Sequence, residues 1–595
     1  MRFFSTLVAS TLGTLVALGL MFFIAFLFIL ALAASSSEQP MVRTGSVLVV
    51  DLSGPIPEQV SGDPFAQAFG GEAPYDLYDV TRALQRAAVD DRVEAAWLQI
   101  HGVMAPWASL QEVREALLAF KETGKPIYAT SGDYAMDEAD YFLASVADSV
   151  FAEPEGFFEF NGFFLEVTFF QEMLEKLDIE PQIVRAGTFK SAVEPFIRNN
   201  LSPENEMQLQ ALLDTQNEVF LQAIADSRNW DIDRARTLIE TEGILTADEA
   251  LEAGLLDDLL FTDQIESLFK TRLGLDADDD LRQISIDSYV NVSDEDAGVA
   301  TGDDGEIAVV YAVGTIMPGK SSGIDVVGSE TFNKAMRKAR EDEDVSAVVL
   351  RVNSPGGSAS ASDAMWREIK LTSDEKPVIV SMGDLAASGG YWIATAGDYI
   401  IADALTLTGS IGVFSLFFDI SDFLDNKLGI TLDGVQTNPY ADMFSGTRPL
   451  SPAERAVLQR STDDTYQRFL EKVAASRGLD VAQVDSVGQG RIWTGQQALE
   501  IGLVDQLGDL DDAIALAAER ADLEPGTYRT RLMPAPRTFM DELNEAFGVR
   551  MAKLWRGIHS SSAERALARQ VRLLEHLIDT QGTTQARLPL EIKIR

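Results

Sequence analysis

KPIYATSGDYAMDEADYFLASVADSVFAEPEG, residues 125–156, and KPVIVSMGDLAASGGYWIATAGDYIIADALTL, residues 376–407, are two copies of one pattern. Three further pairs follow the same order at an offset near 250 residues. GSVLVVDLSGPIPE from Gly45 matches GEIAVVYAVGTIMPG from Gly305, and VEAAWLQIHG from Val93 matches VSAVVLRVNSPGG from Val345. ILTADEALEAGLLDDL from Ile244 matches IWTGQQALEIGLVDQL from Ile492. Four ordered matches at one spacing establish a tandem duplication.

Within each copy short apolar runs alternate with longer helical stretches. AVVLRV and PVIVSM are continuous β-rich runs of the kind buried in parallel sheets. SASDAMWREIKL and AERAVLQRSTDDTYQRFLEKVAASR carry helical periodicity. The fold class is therefore α/β, in two tandem units. The expected division is an N-terminal anchor at 1–38, a first repeat at 45–270, an acidic linker at 271–304, a second repeat at 305–528 and a C-terminal extension at 529–595. The extension has no obvious counterpart in the repeat, and its amphipathic stretch FMDELNEAFGVRMAKLWRGI would suit a membrane, a neighbouring subunit or its own domain.

With 595 residues the chain exceeds a single ordinary core. Its formal net charge of −45 argues against nucleic acid and anionic membrane surfaces as partners. The acids are dispersed, which suits a solvated surface adapted to high salt. Cysteine is absent, which excludes disulfides, thiol nucleophiles and thiolate metal sites. The three histidines, His101, His559 and His576, have no metal-site spacing, so no metal or cofactor is expected.

From Phe3 to Ala34 no residue is charged, and LVALGLMFFIAFLFILALAA is long enough to span a bilayer. It also exceeds the apolar region of a cleaved signal peptide, although Ala31-Leu32-Ala33 resembles a cleavage site. An uncleaved single-pass anchor is expected. Arg2 before the span and Arg43 well after it favour a cytoplasmic N-terminus, with the bulk of the chain on the extracytoplasmic side. In a bacterium with two membranes that places it in the periplasm.

The two copies differ where chemistry would sit. The second has NSPGGSASA and MGDLAASGGYWIA; the first has HGVMAPWA and SGDYAMDEADYFLA, so Ser388 falls on Asp137 and Gly389 on Glu138. A serine opening a helix and followed by glycines is open to close approach by a peptide backbone. The Gly389 N–H and one from the Gly356-Gly357 turn could form an oxyanion hole. The reciprocal loss lies further on: VRAGTFKSAVEPFIRNNLSPEN carries Lys190, and VQTNPYADMFSGTRPLSPAE has no lysine there. A site assembled across both halves is the consequence, with Lys190 as the base that a Ser388 nucleophile needs. His101, at a strand end, reads as structural.

These motifs together, FKSAVEPF, NSPGGS, AASGGYW and TGSIGVF with the anchor and the repeat, resemble signal peptide peptidase A in its long bacterial form. That family belongs to the serine peptidases of the ClpP/crotonase superfamily. The resemblance covers essentially the whole chain. It implies two ClpP/crotonase-like domains, Ser388 as nucleophile, Lys190 as general base, and Gly356, Gly357 and Gly389 at the oxyanion hole. It also implies that Ser410 in TGSIG orients the lysine amine. It implies remnant signal peptides and other short hydrophobic peptides as substrates. It further implies homotetramers at the bacterial inner membrane with the catalytic region facing the periplasm. Two other classes were open on sequence: a non-catalytic peptide-binding scaffold, and a crotonase-type acyl-CoA enzyme, which needs neither the dyad nor an anchor.

Catalysis by lysine sets a condition. Its pKa must fall from about 10.4 to roughly 7–8, a cost of about 4 kcal/mol that desolvation supplies. Phe189, Ala192, Val193 and Phe196 make an apolar setting, and Glu194 must point away from the amine.

Overall fold

The computed structural model describes residues 13, 19–21, 40–60, 75–131, 135–534 and 585–587. Among them no helix is long and apolar enough to cross a membrane. The expected anchor lies almost wholly outside the described residues, as does the amphipathic stretch 539–558.

Each half builds a largely parallel sheet from its apolar runs. In the first, the strand order is Gln283–Ser285, Ser46–Pro55, Val93–Met104, Ile127–Ser131, Ser149–Ala152 and Asp258–Leu259. In the second it is Arg529–Met533, Glu306–Val313, Val345–Ser354, Val378–Ala387, Leu407–Gly409 and Ile492–Thr494, with Tyr399–Ala402 and Gln506–Leu507 attached. The central strands are buried on both faces, which is why they read as unbroken apolar runs.

Equivalent helices cover equivalent strands. Leu77–Val89 buries Leu77, Val80, Ala83, Leu84 and Ala87 on one face and opens with an Asp76–Asp79 capping box. Ser329–Glu341 buries Phe332, Ala335, Met336 and Ala339 in the same spacing.

Two stretches carry more structure than their sequence suggests. In the acidic stretch 271–304, Gln283–Ser285 pairs parallel with Ser46–Pro55. Asp294, opening the turn Asp294–Ala297, accepts ion pairs from Arg82 (2.7 Å) and Arg86 (2.6 Å). At the far end, Arg529–Met533 pairs parallel with Glu306–Val313, so it does have a counterpart, namely Gln283–Ser285 in the first half. Short edge strands bury one face at most, which leaves polar residues in the run and hides the pattern.

A third, mixed sheet joins the halves. Its order is Val326–Gly328, Thr315–Met317, Gly356–Ser358, Gln585–Arg587, Val413–Asp419 and Glu180–Ala186. Its outermost strand, Glu180–Ala186, belongs to the first half. It runs antiparallel to Val413–Asp419 from Ala186↔Val413 to Glu180↔Asp419.

Candidate active site

Ser388 closes the strand Val378–Ala387 and stands before the short helix Gly389–Ala394, with φ +57° and ψ −111°. For a residue with a Cβ this backbone costs on the order of 1–3 kcal/mol, and the surrounding bonds hold it. The Ser388 N–H donates to Gly409 O (2.8 Å), and its carbonyl accepts from the Trp392 N–H (2.8 Å). Parallel pairing of Ala387 with Gly409 places the next residues of both strands, Ser388 and Ser410, side by side. Ser410 also has a positive φ, +48°, and its N–H donates to Arg491 O (2.7 Å). Close packing explains the two glycines after Ser388: a methyl group on Gly389 would stand 2.6 Å from Ser362 Oγ, and one on Gly390 2.6 Å from Ser354 O.

Lys190 arrives from the first half on the strand Glu180–Ala186. Beyond it the chain lies on backbone of the second half. The Phe189 N–H donates to Gln489 O (2.8 Å), and a methyl group on Gly490 would stand 2.7 Å from the Lys190 Cα. Gln208 ties the same segment down: its amide donates to Ser191 Oγ (2.9 Å) while its Oε1 accepts from the Ile492 N–H (3.2 Å).

The Lys190 amine is fully buried. Nζ lies 2.8 Å from Ser388 Oγ, 2.9 Å from Ser410 Oγ and 3.1 Å from Ser410 O, across 198 positions of sequence in the first case. Burial alone holds the amine well below the ordinary lysine range. Ala192, Val193 and Phe196 pack with Leu174, Phe414, Leu416 and Phe418 in one apolar cluster beside it in sequence. Glu194 turns elsewhere, accepting from Ser202 Oγ (2.5 Å) and Asn205 Nδ2 (3.2 Å). The compensating anion that would restore the lysine's charge is therefore kept away.

The Gly356-Gly357 turn stands on the other side of Ser388. The Gly356 N–H is taken by Ser354 Oγ (3.1 Å), so of the three glycines expected at the oxyanion hole this one has its donor already engaged. Gly356 contributes its missing side chain, since a methyl group there would stand 2.5 Å from the Gly389 nitrogen. Gly356–Ser358 and Val413–Asp419 are separated by the width of one strand, and Gln585–Arg587 fills that slot.

In the first half the corresponding place is closed by carboxylates. Asp137 caps its helix by accepting from the Asp140 N–H (2.9 Å). Asp140 accepts from Gly102 N (3.0 Å) and Val103 N (2.9 Å), and Glu138 accepts from Gly162 N (2.7 Å). The turn's N–H groups are spent internally, so this half has a scaffold where the other has a site. His101 lies 3.7 Å from Asp51, consistent with a structural place, and His559 and His576 fall outside the described residues.

All six residues singled out from sequence meet around one point: Ser388, Lys190, Ser410, Gly389, Gly356 and Gly357. Gly490, Gln489 and Gln208 were missed. Gly490 sits in VGQGRIW, at the edge of a recognised repeat, where its absence from the first half was the available signal. Nothing in sequence distinguishes Gln208 from other helix amides.

The profile of peptidase family S49 matches residues 119–276 and 370–524. The chain is 34 % identical over 487 residues to the chloroplastic serine protease SPPA of Arabidopsis thaliana, covering 81 % of this chain and 70 % of that one. It is 35 % identical over 509 residues to Protease 4 of Salmonella typhi, covering 82 % and 80 %. Protease 4 of Haemophilus influenzae is 36 % identical over 475 residues, covering 77 % and 75 %. A ClpP1 mutant of Listeria monocytogenes superposes with a TM-score of 0.23 at 14 % identity, over 35 % of this chain and 94 % of that one, too slight a likeness to bear on the fold.

Proposed function

The chain belongs to peptidase family S49, and from that membership we propose a serine endopeptidase working through a Ser388–Lys190 dyad on short hydrophobic peptides. The 2.8 Å approach of Lys190 Nζ to Ser388 Oγ, in a buried site built from both halves, carries this reading. We assign both halves to the ClpP/crotonase superfamily on their motifs.

A neutral amine has one lone pair and two N–H bonds. Lys190 accepts the Ser388 O–H and donates to the two Ser410 oxygens, an arrangement that aims its lone pair at the nucleophile. Ser388 Oγ attacks the scissile carbonyl, and its proton passes to Lys190. The Gly357 and Gly389 N–H groups stabilise the oxyanion. Collapse of the intermediate returns the proton to the leaving amine, and water deprotonated by Lys190 then hydrolyses the acyl-enzyme. Peptide binds as a strand antiparallel to Gly356–Ser358 and Val413–Asp419, so backbone hydrogen bonds supply affinity and alternate side chains supply selectivity.

Remnant signal peptides are the proposed physiological substrates. The uncharged run from Phe3 to Ala34 supports anchoring in the bacterial inner membrane with the site on the periplasmic side. We retain the homotetramer on family grounds. The decisive test is hydrolysis of a fluorogenic hydrophobic peptide by the chain, by Ser388→Ala and by Lys190→Ala. Both variants should lose activity while folding normally. Full activity in Lys190→Ala would remove the base assignment.

A further inference from the structure

One residue of the second half grips the segment that carries Lys190. Gln489 stands at φ +53°, in the left-handed region that residues with a Cβ rarely occupy. Its carbonyl accepts the Phe189 N–H (2.8 Å) and its Oε1 accepts the Thr188 N–H (3.2 Å), so the two N–H groups immediately ahead of Lys190 both end on it. Gly187 permits the approach, since a methyl group there would stand 2.5 Å from the Gln489 carbonyl carbon. The other two polar groups of Gln489 point away from Lys190. Its N–H donates to Tyr466 Oη (3.1 Å), and its Nε2 donates to Asp485 Oδ1 (2.5 Å). Tyr466 donates its own hydroxyl to that same Asp485 oxygen (2.6 Å), which closes a ring of three side chains behind the grip.

The duplication shows that the fold does not need this ring. Tyr466 lies on the helix Pro452–Arg477, and the first half has a helix of the same length, Pro203–Arg228, in which Asn217 takes its place. Continued in the same register, Asp485 falls on Arg236, which pairs with Glu218 (2.8 Å). Two further matches fix that register: the buried Phe469 falls on the buried Phe220, and the helix cap Asp480 falls on the helix cap Asp231. Both halves therefore build these helices, but only the half that receives Lys190 carries the tyrosine and the carboxylate. Burial and the Asp485 carboxylate hold the Tyr466 phenol far above its ordinary range, so it remains a donor.

Resting on the dyad reading, we propose that Tyr466 and Asp485 are positioning residues for the general base: they lock Gln489, and Gln489 sets Lys190 within reach of Ser388. A left-handed backbone persists only where its surroundings over-determine it. With the Tyr466 hydroxyl gone, the Gln489 N–H loses its acceptor and the peptide plane that carries the Phe189 bond is free to turn. Lys190 then leaves the 2.8 Å contact with Ser388 Oγ for part of the time, and proton transfer slows. A loosened segment also admits water to the amine. Burial is what holds that amine below the ordinary lysine range, so its pKa rises as the latch opens.

The test measures kcat, KM and the pH profile on a fluorogenic hydrophobic peptide for the full chain, Tyr466→Phe, Asp485→Ala and Asp485→Asn, with Lys190→Ala as the inactive reference. Tyr466→Phe and Asp485→Ala should each lower kcat on the order of 10–100-fold, leave KM within about twofold and move the rising limb of activity to higher pH. Asp485→Asn, whose Oδ1 still accepts both bonds, should keep kcat within about threefold of the parent. Combining Tyr466→Phe with Asp485→Ala should cost little more than either change alone, because both open one latch. Should Asp485→Ala fail to fold, Tyr466→Phe decides by itself. A fall in kcat with the limb unmoved would overturn the proposal, since damage elsewhere leaves the lysine's surroundings as they are. Asp485→Asn as slow as Asp485→Ala would also overturn it, by assigning the effect to charge. Parent-like kcat in Tyr466→Phe, beside an inert Lys190→Ala, would sink the latch and leave the peptidase reading standing. A parent chain inert toward the peptide would overturn the two together.

Discussion

Ser109 gives the Asp384 carboxylate both its backbone N–H (2.8 Å) and its hydroxyl (2.9 and 2.8 Å). The first residue belongs to a first-half helix and the second to the strand that ends beside Ser388. Around this contact lies a larger polar brace between the halves. Asn353 donates to Asp384 (3.0 Å) and Glu58 (3.0 Å), while Arg351 donates to Glu58 (2.7 Å), Glu112 (2.6 Å) and Ser381 (2.9 Å). Arg351 is the cation among three carboxyls, and burial pushes Glu112 well above the usual carboxylate range.

Removing that cation strands the carboxyls. Arg351→Met should destabilise the folded chain by about 3–5 kcal/mol, the usual result of leaving buried charges unpaired. The loss should shrink as pH falls and Glu112 takes up its proton. Urea unfolding at two pH values measures both effects, and a change below about 1 kcal/mol would mean that the halves are held by their apolar contacts alone.

Ser410 touches the lysine amine, so under the proposed dyad its removal should act on the proton transfer. Ser410→Ala should lower kcat on the order of 10–100-fold with little change in KM. The sign of the accompanying pH shift can also be stated. Oxygen acceptors favour the charged ammonium, so deleting Ser410 Oγ drops the Lys190 pKa further and moves the rising limb of activity to lower pH. In the parent, activity should rise with pH and level off well below the ordinary lysine range. A limb that stays fixed in Ser410→Ala would assign it to another group.

Several carboxyls make stability depend on pH in the less common direction. Burial, aided by Asp79 at Asp76 and by Asp137 at Asp140, pushes Asp76, Glu138 and Asp403 up to about 7, and Asp140 and Asp511 up to about 6. Unfolded, these groups titrate near pH 4. The folded chain therefore holds more protons between about pH 4 and 7, and its stability should rise as pH falls through that window. Glu454 works oppositely: Arg448 holds it at about 2, and the stability it contributes is lost only below about pH 4. Thermal melts from pH 4 to 8 should peak on the acidic side, and a melting temperature that climbs steadily from pH 5 to 8 would contradict these assignments.

The duplication made much of this legible. Ser388 and Lys190 stood out because each occupies a position that its sister copy has abandoned, and a shared fold does not require such reciprocal change. Ser410 lay in a recognised motif, and backbone register explains its place: pairing of Ala387 with Gly409 sets it beside Ser388. Edge strands were illegible because Gln283–Ser285 and Arg529–Met533 are short and mostly polar. Gln585–Arg587 was illegible for a further reason. Three residues paired through their backbone carry no side-chain pattern, and what places them is the gap between two other strands.

Gly490 separates backbone strain from loss of the site. It has φ +79°, and Gly429, on an exposed loop, has φ +68°. An alanine at either position meets the left-handed penalty of about 1–2 kcal/mol. At Gly429 nothing lies within 4 Å of the new methyl group, whereas at Gly490 the Lys190 backbone lies at 2.7 Å. Backbone cannot swing aside as a flexible side chain does, so Gly490→Ala must push Lys190 from its place, and a displacement near 1 Å costs about 100-fold in rate. Gly429→Ala and Gly490→Ala should therefore melt within a few degrees of each other, while peptide hydrolysis survives in the first and falls about 100-fold in the second. Equal activities would show that the Lys190 segment is free to shift with its base still within reach of Ser388.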